Sequence, residues 1–131
     1  MSEQAMVENN SGTNGIAPDI VAKKFNWGAF LLTWIWGLGN KTYITLVFFA
    51  ACALCIIPII GAFAPLGCSI WFGIKGNEWA WKNKRFESVE HFHSNQKKWA
   101  IAGVIVLVLG IVLNIIAIFA MIGLNNTLQI Q

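Results

Sequence analysis

Two tracts without a single charge constrain this sequence more than anything else in it. Lys41 and Lys75 enclose 33 uncharged residues, and another 33 follow Lys98. About 18 such residues, if mostly apolar, suffice for a helix across a hydrocarbon core ~30 Å thick. Charge is scarce throughout: Asp, Glu, Lys and Arg make up 11% of the 131 residues, against about 25% in soluble domains. These features predict an integral membrane protein, with room for one membrane unit and no separate soluble domain.

Residues 1–22 are different in kind. Glu3, Glu8, Asn9, Asn10, Ser11, Gly12, Asn14, Gly15 and Pro18 stand there without an apolar period. Such a composition cannot offset the entropy of ordering, which predicts a disordered polar tail. A secretory signal fits badly, because the apolar material after it is far too long for an h-region.

The run Phe25–Asn40 is uncharged and aromatic but only 16 residues long, about 24 Å as a helix. Asn26, Thr33 and Asn40 recur every seven positions, so a helix carries them on one stripe. Trp27, Trp34 and Trp36 favour the headgroup level. This predicts an interfacial or re-entrant helix over 25–39. Pro58 and Gly61 then break the next apolar tract, which reads as a kinked helix or as a hairpin. Charge decides between them. In the hairpin all nine Lys and Arg residues fall on one side, which the positive-inside bias places in the cytoplasm. Spans are predicted at 42–58, 61–76 and 99–123, within a single membrane domain over 23–131. The N-terminus is then cytoplasmic and the C-terminus outside.

Residues 84–98 read as an amphipathic surface helix with Phe86, Val89 and Phe92 on its apolar face. Lys82, Lys84, Arg85, Lys97 and Lys98 are the candidate contacts to anionic lipid headgroups. Trp27, Trp34, Trp36, Trp79, Trp81 and Trp99 are the candidate interfacial anchors. In the last span Gly103, Gly110, Asn114 and Ala117 share a face of small residues and one amide, a candidate helix-contact surface.

Chemistry-bearing patterns are sparse. Cys52, Cys55 and Cys68 lie within an apolar tract, where thiols pack as small hydrophobes. Glu87 and His91 are neighbours on a helix, but His93 points about 200° away from His91, which spoils a shared metal site. Gly73, Gly76 and Asn77 suggest the end of the second span. No catalytic residue, cofactor site or nucleic-acid surface stands out.

The segments Phe-Asn-Trp-Gly-Ala-Phe at 25–30 and Gly-Ile-Lys-Gly-Asn-Glu-Trp-Ala-Trp at 73–81, with the apolar hairpin between them, resemble a family of small bacterial membrane proteins catalogued as a domain of unknown function. The likeness covers about 24–82, lacks the family's Gly-Pro after the first motif and leaves 83–131 as an addition. It implies a bacterial cytoplasmic membrane and carries no activity.

The expectation is therefore an all-α membrane protein: an interfacial or re-entrant helix, a transmembrane hairpin, an amphipathic surface helix and a third transmembrane helix. Its expected role is a non-enzymatic accessory protein that docks on a membrane-protein partner or organises lipid. The alternative is a homo-oligomeric pore or transport subunit lined by the polar stripe.

Overall fold

A computed structural model describes residues 8–131, apart from the side chains of Cys55 and Ala62. Every regular element among these residues is helical. Helices α1 (Asp19–Ala22), α2 (Trp27–Gly39), α3 (Val47–Ala53), α4 (Pro58–Asn83) and α5 (Val89–Ile130) follow in order, with 3₁₀ turns at Tyr43–Leu46 and Leu54–Ile56.

Local chemistry sets the boundaries. The Asn26 side chain accepts the Ala29 N–H at 2.8 Å and starts α2, and the Ser88 hydroxyl accepts the His91 N–H at 3.0 Å and starts α5. Ile57 is extended before Pro58, which occupies the first turn of α4, where its missing N–H costs nothing. The chain therefore reverses at Ile57–Pro58. The arm before the reversal, broken into α3 and its two 3₁₀ turns, lies along α4. That arm does not form the continuous helix expected over 42–58. Within α2 the backbone leaves helical geometry at Thr33 (φ 38°, ψ −102°), a region β-branched residues rarely enter.

Three further expectations are corrected. Gly73, Gly76 and Asn77 do not end the second apolar helix, since α4 continues to Asn83. The close approach of α2 requires glycine at 76: a Cβ there would stand 2.8 Å from Ala29 Cβ. The amphipathic helix expected over 84–98 begins only at Val89, with Phe86 in the link before it, and runs on into the last span as the unbroken 42-residue α5. The tail is not a free coil over 8–22. The Asn9 amide donates to the Phe86 and Glu87 carbonyls (2.8 and 3.0 Å), and the Ser11 hydroxyl accepts the Phe86 N–H at 2.8 Å. Gly12 and Asn14 donate backbone N–H groups to Trp81 and Lys82 (2.8 and 3.2 Å). Residues 1–7 of the predicted tail lie outside the described region.

The core sits at one end of the molecule. Val21, Ala29, Leu32, Trp36, Phe72, Trp81, Phe86 and Phe92 are buried together where the N-terminal segment, α2, the end of α4 and the start of α5 meet. Trp81, Phe86 and Phe92 form an aromatic nucleus, with Trp81 parallel to Phe86 and Phe92 edge-on to both. Beyond this core α5 is bare. Every residue from Val104 to Gln131 is exposed, along about 40 Å of helix. Both α4 and α5 are long and apolar enough to cross a membrane, and the most apolar window of α5 has 0% of its residues buried. A water-soluble helix would show a polar face there.

Candidate functional site

At the junction of the three long helices lies a buried cluster of amides. Asn26 precedes α2, Trp36 lies within it and Asn40 follows it, while α4 contributes Asn77 and α5 contributes Gln96. Asn40 and Trp36 are fully buried, and Asn26, Asn77 and Gln96 are nearly so. The Gln96 carbonyl oxygen accepts from Trp36 Nε1 at 2.8 Å and from Asn26 Nδ2 at 3.0 Å. The Gln96 amide nitrogen donates to Asn40 Oδ1 at 2.9 Å. Asn26 Nδ2 also donates to Asn77 Oδ1 at 2.7 Å, and Asn77 Nδ2 donates to the Lys24 carbonyl at 2.8 Å. Asn40 closes back on the Trp36 carbonyl at 2.9 Å. A buried amide costs stability unless bonded, and here both ends of each amide have a partner. None of these groups titrates near neutral pH, so the cluster fixes geometry rather than moving protons.

The stripe of Asn26, Thr33 and Asn40 is thus buried in the chain's own interior (3%, 7% and 0% exposed). It faces neither lipid nor an aqueous path. The sequence marks Asn77 only as part of a span end and does not single out Gln96. For Gln96 a signal existed: it lies four residues after Phe92 and seven before Gly103, on the face of α5 that becomes buried.

The predicted contact face divides. Gly103 meets α2, where a Cβ would come within 2.8 Å of Leu31 Cβ, whereas Gly110 has open space around it. Asn114 and Ala117 are exposed, beside an open apolar groove formed by Leu31, Leu107, Gly110, Ile111 and Ile115.

The predicted headgroup contacts divide as well. Lys82 pairs with Glu78 at 2.7 Å, and Lys75 joins the same carboxylate at 3.1 Å. Lys84 donates to the Gly39 carbonyl and lies over the Phe86 ring. Arg85 donates to the Asn9 and Ser11 carbonyls. Lys84 and Arg85 thus join separate segments and Lys82 is paired within α4, whereas Lys97 and Lys98 are exposed.

Of the tryptophans, Trp27 is exposed and Trp34, Trp79 and Trp99 are half-buried. Trp36 and Trp81 are core residues rather than anchors: Trp36 donates to Gln96 and Trp81 donates to Asn10 Oδ1 at 2.7 Å. Their polar edges find protein partners, which removes the reason for a headgroup position.

His91 and Glu87 are adjacent, the Glu87 N–H reaching His91 Nδ1 at 3.3 Å. His93 is half-buried, and its Nε2 is buried without a hydrogen-bond partner among the described residues. Burial lowers the His93 pKa below its usual value and the Lys24 charge adds to that, while Glu90 and the Ile20 backbone oppose it. Hydrogen bonds from Lys82 and Lys75 hold the Glu78 carboxyl below its usual pKa. No group of three or more His, Cys, Asp or Glu side chains among the described residues is placed to hold a metal ion. No protein-family model, curated protein or solved structure matches the chain.

Two predictions follow from this geometry. Replacing Gln96 by Leu strands the Trp36 N–H and one Asn40 oxygen, which should lower stability by about 2–3 kcal/mol. Thermal melting in mild detergent checks this, with Lys98→Ala as a near-neutral control. The pH dependence has a fixed sign. The fold favours neutral His93, so its contribution is complete above about pH 6.5 and is lost as pH falls through the lower folded value. Melting temperature should drop between neutral and mildly acidic pH, and His93→Gln should flatten that slope. The Glu78 contribution disappears only at more acidic pH, as the solution passes its own lowered value.

Proposed function

We propose that this is a multi-pass protein of the bacterial inner membrane, non-enzymatic in character, which docks on a larger membrane assembly as an accessory subunit. The supporting observation is Asn114. Lipid can cover the apolar surface of α5, but acyl chains offer an amide no hydrogen bond. Asn114 is exposed near the middle of an apolar helix, with Gly110 and Ala117 beside it leaving room for close approach. A polar group placed so in a membrane helix calls for a partner. Asn26, Thr33 and Asn40 do not contribute to this argument, because all three are buried within the chain.

In this reading the core end lies on the cytoplasmic side with all the Lys and Arg residues. The Tyr43–Trp71 hairpin enters and leaves the bilayer on that side, and α5 carries the C-terminus out across it. A periplasm-dependent phosphatase should be active when fused after Gln131 and inactive when inserted after Lys84; the reverse pattern refutes this orientation. Asn114→Leu should leave insertion intact and reduce chemical cross-linking to the partner in native membranes by about threefold to tenfold. Unchanged cross-linking would remove the docking role of this face.

A further inference from the structure

A small cleft opens beside the amide cluster, between the start of α2 and the polar end of α5. Its volume is about 150 Å³, and Lys24, Asn26, Trp27, His93, Gln96 and Lys97 line it. Two cations and a histidine therefore converge on one cleft that no carboxylate lines. Among the described residues neither Lys24 nor Lys97 makes an ion pair, and Asp19 is engaged by Lys23 at 2.7 Å. Glu90 is the acidic group felt by His93, and it does not line the cleft. Among the described residues His93 Nε2 has no hydrogen-bond partner, although it is shielded from solvent.

The cleft adjoins an apolar groove of about 440 Å³ formed by Trp27, Ala100, Ile101, Val104 and Ile105. Trp27 and Ala100 belong to both. Moving along α5 from His93 to Ile105, about 18 Å at 1.5 Å per residue, the lining changes from cationic to wholly aliphatic. That order is the order of chemical groups in a phospholipid: an anionic phosphodiester at the polar level, then hydrocarbon. A free phosphate ion would use the cleft and leave the groove empty.

We propose that this cleft and groove bind one anionic phospholipid, its phosphodiester held by Lys24 and Lys97 and one acyl chain lying along Trp27, Val104 and Ile105. The site rests on the membrane placement argued above but not on the Asn114 face, since the two share no residue. It differs from diffuse attraction of a basic surface, because it requires Lys24 and Lys97 while Lys82 and Lys98 are dispensable.

The test is native mass spectrometry of the full chain in mild detergent, with phosphatidylglycerol and phosphatidylcholine of matched acyl chains supplied in equal amounts. One phosphatidylglycerol should be retained per chain with about thirtyfold preference, as expected for two nearby lysines. The Lys24→Gln, Lys97→Gln double variant should bring retention of the two lipids close to parity, and Lys24→Arg with Lys97→Arg should keep the preference. Lys82→Gln with Lys98→Gln should also keep it. Equal retention by the parent chain overturns the proposal, and so does an equal loss in both glutamine pairs, which would indicate diffuse charge only. Displacement of the lipid by inorganic phosphate as readily as by phosphatidylglycerol would identify a soluble-anion site and overturn the lipid assignment. Asn114→Leu should leave the lipid preference intact, so a failed docking role and a failed lipid site give different results.

Discussion

The fold depends on Gln96. Its one side chain connects three helices, since its carbonyl receives Asn26 and Trp36 from the α2 region and Asn26 passes the connection to Asn77 of α4. Buried amides bond strongly in a low dielectric and are costly when left alone. A network whose members are all paired therefore admits few alternatives in register. Sliding α5 by one residue would separate Gln96 from both Trp36 and Asn40. This matters in a chain so rich in aliphatic side chains, which pack adequately in many arrangements and specify few.

Around that network the molecule divides by solvent. Its core end is built like a small globular protein, with an aromatic nucleus, capped helices and an N-terminal segment bonded to the backbone of residues 81–87. The other end offers apolar helix without a polar face, the Pro58–Trp71 part of α4 packed on α3 and α5 bare beyond Gly103. The first region holds together through protein contacts. The second needs a medium or a partner as apolar as itself.

Much of this was legible in the sequence because it depends on local periodicity. The charge-free tracts mark the two long apolar helices, and the seven-residue spacing of Asn26, Thr33 and Asn40 marks one face of a helix. Pro58 marks a break, which is a kink or a reversal by itself, and the placement of the lysines and Arg85 selects the reversal. Other features had no local signature. Residues 8–22 looked incapable of burying surface, yet Asn9 and Ser11 bond to Phe86 and Glu87, 75 or more positions away. Composition describes what a segment can bury by itself and is blind to a distant partner whose backbone it satisfies. Trp36 and Trp81 carried the composition of interfacial anchors, but an indole N–H is satisfied equally well by a buried amide.

What the sequence determined by itself is the presence of two long apolar helices, because hydropathy and charge are sums over neighbouring residues. What only the tertiary structure decided is which polar and cationic groups are consumed internally and which remain available. Lys82, Lys84 and Arg85 are engaged within the chain, while among the described residues the Lys24, Lys97 and Asn114 side chains make no hydrogen bond or ion pair. That distinction depends on distances between side chains far apart in sequence, and it is set by how α2 wedges between α4 and α5 around Gln96.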